Sequence, residues 1–308
     1  MGAISGRGLL SRGRRQHRVS LRTGGESGFP VLGFVTMTRS EVPPTASWTD
    51  VEWFRVRDRR TVVVRAVTGP TIVLGSSQSR GIVDEDRRQA LGVEVVRRRS
   101  GGGAVWLAPG DPIWIDLWLP RHDHLWMDDV IGAPGWLGTA WASALGALGA
   151  PSLDVHHGPS SPRRWSDLVC FAGVGPGEVL TAGRKVVGIA QWRSRQGALF
   201  SSACYERWHP GDLVGVLAVG PDGPEPDYLG TDDLGPDHLG PDDLGPDDLE
   251  PDSLGSAAAD LAAAAIGLSE ILPGRRSSRD LVQALVDHLP QGATWDVVVE
   301  GTEPPGPV

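Results

Sequence analysis

Lysine is almost missing from this chain: 28 of its 29 basic residues are arginine, and the single lysine is Lys185, in "TAGRKVVGIAQWRSRQGALF". An ammonium is a compact point charge on a flexible stem, whereas a guanidinium is a wide planar fork that does not release its proton. A position that keeps lysine where arginine serves everywhere else therefore points to a tight gap between oxygens. Cysteine is nearly as scarce. Cys170 and Cys204 are the only two, too few for a disulfide framework, and they read as free thiols. Long apolar runs are also lacking: no stretch of about 18 such residues exists to span a bilayer. The arginine-rich start, "GRGLLSRGRRQHRVSLR", is not followed by an apolar segment, so a secretory or twin-arginine signal is not supported and the cytoplasm is the expected location, without a membrane partner.

The formal net charge of −9 is unevenly spread. Residues 1 to 22 carry six arginines and no acid, and residues 222 to 252 carry twelve acids with His238 as the sole basic type. The remainder is close to neutral, so no broad electrostatic partner, nucleic acid included, is implied.

Composition divides the chain further. Residues 220 to 255 repeat a five-residue unit with leucine at 229, 234, 239, 244, 249 and 254. Proline, glycine and acids at this density cannot build a packed core, so 220–255 is expected to be a disordered insert. An arginine-rich extension over 1–46 is expected to be unstructured too, with Met37 a candidate start. Segments 47–219 and 256–301 then form one domain. Short β-branched runs mark strands at "TVVVRAV", "TIVLG", "VEVVRR", "IWIDLWL", "KVVGIAQW" and "WDVVVE". In "IWIDLWL", Ile113, Ile115, Leu117 and Leu119 alternate with Trp114, Asp116 and Trp118, which predicts one aliphatic face toward a core and a mixed face elsewhere. Helical patterns occur in "DEDRRQAL", "GWLGTAWASALGALG", "SAAADLAAAAIGL" and "SRDLVQALVDHL". Strands and helices do not alternate regularly, so the expected fold is α+β, a mixed β-sheet with packed helices.

A second unusual stretch is "VEVVRRRSGGGAVWLAPGD". Gly101, Gly102 and Gly103 lack Cβ atoms, so their backbone can approach a ligand and aim N–H groups at an anion. Arg98 and Arg99 beside them suit a phosphate or carboxylate. The pattern is neither G-x-G-x-x-G nor a Walker loop, which removes Rossmann and P-loop readings. His156 and His157 sit in a Pro- and Ser-rich loop without a matching ligand cluster, so no metal site is assigned. Trp106, Trp114 and Trp192 are read as core and pocket lining.

Taken together, "TIVLGSSQ", "RRRSGGGAV" and "GRKVVGIAQWR", in this order, resemble the lipoate-protein ligase family, the biotin and lipoate A/B protein ligase group, over roughly residues 52 to 215. The resemblance implies a biotin/lipoate protein ligase-like catalytic domain. It also implies attachment of a lipoyl or octanoyl group to a lysine of a lipoyl carrier domain, most directly by ATP-dependent ligation through an acyl-adenylate. By position it makes Lys185 catalytic and assigns substrate and nucleotide binding to Arg98, Arg99, Ser100, Gly101, Gly102, Gly103, Ala104, Val105, Gly188 and Gln191. Implied co-substrates are ATP with Mg²⁺ and lipoate or octanoate. Implied partners are the lipoyl domains of 2-oxoacid dehydrogenase complexes or the glycine-cleavage H protein.

"CFAGVGPGEVLTAGRKVVGIAQ" resembles the cysteine octanoyltransferase branch of the same superfamily. That branch makes Cys170 a nucleophile forming an acyl thioester, with Lys185 stabilising the thiolate. Against it, the branch commonly carries a larger residue at the third glycine, whereas Gly103 keeps room for a nucleotide. The family's His-Asp after the glycine loop is replaced by Leu107 and Ala108, following Trp106, and its later His-Gly by Ser201 and Ser202. A non-catalytic binder of lipoate or of lipoylated proteins is the third reading.

Overall fold

The computed structural model describes residues 36–40, 58–218, 253–291 and 294–300. Its strands are β1 (Thr36–Ser40), β2 (Thr61–Val64), β3 (Thr71–Leu74), β4 (Glu94–Arg97), β5 (Val105–Leu107), β6 (Ile113–Pro120), β7 (Asp154–Val155), β8 (Val179–Thr181), β9 (Arg184–Arg193), β10 (Gly197–Cys204) and β11 (Asp296–Glu300). The helices are α1 (Glu85–Ala90), α2 (Gly135–Ala147), α3 (Pro210–Val214), α4 (Ser253–Ala264), α5 (Leu268–Ile271) and α6 (Ser278–His288).

Two mixed sheets result, as the irregular order of strands and helices predicts. The larger runs β1-β11-β2-β6-β10-β9-β8-β7, and the smaller β4-β3-β5. β11 pairs parallel with both β1 and β2, and the run from β2 to β7 is antiparallel throughout. Five residues of the stretch expected to be unstructured, Thr36–Ser40, form the edge strand β1, because the unpaired edge of β11 offers a complete ladder. Helix α4 begins at Ser253, inside the segment read as an insert. The remainder of both segments lies outside the described residues.

β6 shows why both faces of the large sheet are closed. Ile113, Ile115, Leu117 and Leu119 face α2 and α6, packing with Leu137, Trp141, Leu145, Leu281 and Leu285. The mixed face is not left to solvent: Trp114 joins Ile72, Val73, Leu74 and Val105 of the small sheet, with Leu213 from α3 and Leu261 from α4. Seven of the eight residues of β6 are buried. A sheet covered on one side would have left Asp116 and Trp118 wet, and here they are 3% and 1% exposed.

Local signals place the elements at their ends. Asp84 caps α1 by accepting from the Arg87 N–H at 3.0 Å, and Ser277 and Asp280 form a reciprocal cap on α6. Between β8 and β9 the two-residue turn Ala182–Gly183 has φ of 47° and 75°, the left-handed pair that matches the twist of a tight hairpin. Arg184, the first residue of β9, donates to the Ala262 and Ala265 carbonyls at the end of α4 (3.1 and 2.7 Å), fastening that helix to the strand that carries Lys185. Among the described residues no helix is long and apolar enough to cross a membrane.

Leu285 is fully buried between α6 and the sheet. Leu285→Ala is expected to lower unfolding free energy by about 2–5 kcal/mol in urea melts, from lost transfer energy and a residual cavity.

Candidate active site

Lys185 lies on the sheet face that carries Cys170 and Phe171 because β9 is not regular. The pairing register shifts between Val179↔Val187 and Leu180↔Lys185, leaving Val186 as the extra residue of a β-bulge. Strict alternation would put Lys185 on the face of Val187 and Ile189, in the apolar core under the helices. The bulge instead turns both Val186 and Val187 toward that core and swings Lys185 to the opposite face, the side of Gly188.

There the ammonium is enclosed. Its Nζ lies 2.7 Å from Oε2 of Glu178 and donates to the Cys170 carbonyl at 2.7 Å. It also lies 5.4 Å from the centre of the Phe171 ring. The side chains of Lys185 and Glu178 are only 2% and 3% exposed. Glu178 is pinned in turn: Oε2 accepts from the Gly175 N–H at 2.6 Å and Oε1 from the Ile189 N–H at 3.1 Å. Behind Phe171 stand Tyr205, edge-on at 4.9 Å, and Trp208, stacked at 5.2 Å. Burial raises the Tyr205 hydroxyl well above its ordinary range, and it donates to the Trp106 carbonyl at 2.7 Å.

The glycine loop approaches from the small sheet. Gly102 has φ of 93°, a left-handed conformation that disfavours side chains. A Cβ on Gly103 would lie 2.5 Å from the Val169 carbonyl carbon and 2.6 Å from the Cys170 nitrogen. The room at the third glycine is thus filled by the protein's own backbone: Ala104 N donates to Leu168 O at 2.7 Å, and Cys170 N to Ala104 O at 3.0 Å. The expected space for a nucleotide at Gly103 is corrected on this point, because the missing Cβ is what lets the Cys170 segment dock. That segment is itself bent sharply, since Trp165 has φ of 74°, at a cost of roughly 1–3 kcal/mol for a bulky residue. Its ring nitrogen is tied to Asp260 at 3.1 Å.

The arginines divide their work. Arg97 donates to the carbonyls of Gly75 (2.9 Å), Ser76 (3.2 Å) and Gln78. Arg98, 6% exposed, turns inward onto the carbonyls of Gly101 (2.7 Å), Gly103 (2.9 Å) and Val73 (3.3 Å) and onto the Ser100 hydroxyl (3.1 Å). Burial pulls its guanidinium below the usual range, and the nearby Cys170 and Glu178 act in the opposite direction. Arg98 therefore braces the loop, and Arg99, exposed and 5.3 Å over the Trp192 ring, is the arginine at the cleft mouth. Among the described residues, the N–H groups of Gly101, Gly102 and Gly103 donate to no protein acceptor.

Two adjoining recesses make up the cleft. Around Cys170 it is lined by Arg98, Val105, Phe171, Gly188 and Ala190. Beyond Ser201, which both share, it is lined by Trp114, Asp116, Trp192, Leu199 and Arg99. The large sheet explains this membership: Ala190, Ser201 and Asp116 are directly opposite one another across β9, β10 and β6. Asp116 Oδ1 accepts from Ser201 at 2.6 Å and from the Trp114 ring at 2.9 Å, and Oδ2 pairs with Arg65 at 2.6 Å. Sequence reasoning missed Glu178, Asp116 and Arg65. A single acid inside each apolar run was the available signal, and it does not say which acid is buried.

Of the predicted site residues, Cys170, Arg98, Arg99, Ser100, Val105 and Gly188 line this cleft; Lys185 is buried behind its Cys170–Phe171 wall, and Gly101, Gly102, Gly103 and Ala104 belong to the loop on which the Cys170 segment docks. Gln191 is separate: it lies in the cross-strand row of Phe200 and Leu117, on the helix side, and bonds to the Val130 carbonyl. Lys185 meets Cys170 through that residue's main chain. Its ammonium addresses the Cys170 carbonyl and the Glu178 carboxylate. Trp114 and Trp192 line the cleft, whereas Trp106 packs into the core beside it. Asp167 is exposed. Among the described residues no three His, Cys, Asp or Glu side chains converge to hold a metal.

Cys170 is partly exposed, whereas Cys204 is fully buried with its thiol pushed far up by that burial. Iodoacetamide near neutral pH is therefore expected to label Cys170 first and to leave Cys204 unmodified in the folded protein, as read by peptide mass spectrometry. Gly103→Ala is expected to separate the glycine loop from Val169–Cys170 and to lower the thermal midpoint measurably.

Residues 51–219 match the sequence profile of the Lipoyl protein ligase A/B catalytic domain. No curated protein matches the chain. Among solved structures, the fold is similar to that of Thermoplasma acidophilum Ta0514 with bound lipoic acid, at 14% identity and a TM-score of 0.51, covering 78% of this chain and 76% of that one. A bipartite lipoate protein ligase from Thermoplasma acidophilum aligns at 16% identity and a TM-score of 0.49, over 75% of this chain and 70% of that one. A lipoate-protein ligase A bound with ATP aligns at 15% identity and a TM-score of 0.49, over 75% and 71%.

Proposed function

This chain belongs to the lipoyl protein ligase A/B catalytic domain family, and from that membership we propose that it attaches a lipoyl or octanoyl group to a lysine of a lipoyl carrier domain by ATP-dependent ligation. The observation that carries the reading is the enclosed ammonium of Lys185 on the cleft face of β9, beside a glycine loop with three unpledged N–H groups. In ligation the acyl carboxylate attacks the α-phosphorus of ATP and pyrophosphate leaves. The carrier amine then attacks the acyl carbonyl and AMP leaves. Both steps gather negative charge on oxygens a few ångströms apart, and fixed donors aimed there stabilise it without reorganisation.

The residues fit an anionic co-substrate in a particular way. Gly101, Gly102 and Gly103 carry N–H groups that no protein acceptor takes among the described residues, and Arg99, Trp114 and Trp192 line the recess next to them in sequence and fold. A divalent ion would ride on the phosphates with few protein ligands, as Mg²⁺ usually does. A lipoyl domain of a 2-oxoacid dehydrogenase or a glycine-cleavage H protein is the partner class, and the cytoplasm the compartment, that belong to this reading.

A specific observation favours a second reading. Cys170 lines the cleft, is partly exposed, and is held by backbone pairing to the glycine loop. On this reading its sulfur accepts an acyl group from one carrier, releasing that carrier's nucleophile, and passes the group on to another. The closing of the Gly103 gap by Val169 and Cys170 removes one reason to prefer ligation over this route.

The test is incubation with a lipoyl domain and octanoate, with and without ATP and Mg²⁺, followed by intact mass. Product only with ATP supports ligation, and product only from an octanoylated carrier supports transfer through Cys170. Octanoate or lipoate binding without product would replace both with a non-catalytic binder. Lys185→Arg is expected to reduce turnover by about 10²-fold or more with the fold intact, since a planar fork does not fit between Glu178 and the Cys170 carbonyl. Cys170→Ser should leave ligation within about tenfold, roughly 1.4 kcal/mol of barrier, and should abolish thioester transfer.

A further inference from the structure

We propose that Glu178 is the positioning residue of this site, fixing where the Lys185 ammonium points. The proposal rests on the acyl-transfer reading above for its kinetic part. Its structural part stands on geometry alone.

A buried ion pair is a weak source of stability, because desolvating two charges offsets their attraction, and apolar residues of similar size often serve as well. Lys185 and Glu178 are nonetheless buried together at the edge of the cleft. The carboxylate is the fixed member. Gly175 and Ile189 each give it a backbone N–H, on opposite oxygens. The lysine is the mobile member, with four methylenes between backbone and charge and a bulge that decides only its face of the strand. A fixed anion 2.7 Å from Nζ removes that freedom.

The hydrogen-bond count gives the consequence. An ammonium has three donors. Among the described residues one is taken by Glu178 and one by the Cys170 carbonyl, so the third is the one left to meet a substrate oxygen. Glu178 meets the ammonium from the turn before β8, and the Cys170 carbonyl meets it from the loop docked on Gly103. Without the Glu178 carboxylate only that carbonyl is left to direct Nζ.

Because the chain contains a single lysine, lysine-selective ¹⁵N labelling gives one side-chain ammonium resonance, which reports Lys185 alone. In the wild-type protein that resonance is expected to be sharp, from an ammonium shielded and hydrogen-bonded. Glu178→Gln keeps the shape and removes the charge, and is expected to broaden or erase it. Glu178→Asp keeps the charge at a shorter reach and is expected to give a resonance broader than wild type and sharper than Glu178→Gln; if Glu178→Gln does not fold, a resonance in Glu178→Asp identical to wild type overturns the proposal. In turnover, Glu178→Gln is expected to lower kcat by roughly tenfold or more with the KM for the carrier domain unchanged. The same change in a Lys185→Met background is expected to have no further effect on the residual rate, because Glu178 acts only through the ammonium. An unaltered resonance in folded Glu178→Gln, or an equal kinetic loss in both backgrounds, overturns the proposal. A wild-type protein that transfers no acyl group while Glu178→Gln erases the resonance overturns the functional reading and leaves the positioning of Lys185 standing.

Discussion

A single buried ammonium organises the site, and the neighbouring structure can be read as what is needed to keep it buried and aimed. Moving a charge out of water is costly unless it is paired and hydrogen-bonded, so Lys185 comes with a carboxylate, a carbonyl and an aromatic face within reach. The carboxylate requires the tight turn from Gly175 to Glu178 that gives it a backbone N–H. The carbonyl requires the Cys170 segment to dock on the glycine loop. The aromatic face requires Phe171 to be held by Tyr205 and Trp208, and Trp208 is in turn bonded to the Leu261 carbonyl of α4 at 2.7 Å. Elements far apart in sequence are thereby tied to one charge.

The same economy governs the arginines. A chain with 28 of them has no shortage of charge to offer a phosphate, yet Arg97 and Arg98 are largely spent on the protein's own carbonyls. Five donors in a rigid fork suit that bracing, because one side chain can satisfy several loop carbonyls at once. What remains for a ligand is the backbone of the loop so held. Rigid N–H groups are better transition-state partners than a flexible side chain, which would have to be ordered first.

Departures from the family pattern acquire a physical meaning on this sheet. Ser201 occupies the cleft face and closes a network with Asp116, Trp114 and Arg65, whereas Ser202 faces the other way and bonds to the Ile115 carbonyl at 3.2 Å. The polar end wall of the cleft is thus fully satisfied within the protein. Trp106 keeps bulk beside the glycine loop, and its carbonyl anchors Tyr205.

Much of the fold was legible in the sequence, for local reasons. Two-residue alternation and β-branched runs marked β2, β3, β4, β6, β9 and β11, 3.6-residue patterns marked α1, α2, α4 and α6, and the irregular order of these elements implied mixed sheets. The scarcity of lysine and the run of three glycines pointed to the candidate site, because chemical identity is a property of the residue itself. Less local features were not legible. The second covering layer over β6, the pairing of Thr36–Ser40 with β11, and the placement of Gln191 on the helix side depend on which strands become neighbours. The bulge at Val186 is the clearest case. Nothing in "GRKVVGIAQ" says that alternation skips one residue, yet that skip decides whether Lys185 enters the apolar core under the helices or the opposite face beside Cys170 and Glu178. Residue types and spacing determined that one ammonium would matter here. Only the tertiary structure, through strand register and the desolvation cost of a charge, decided that it faces Glu178 and the Cys170 carbonyl.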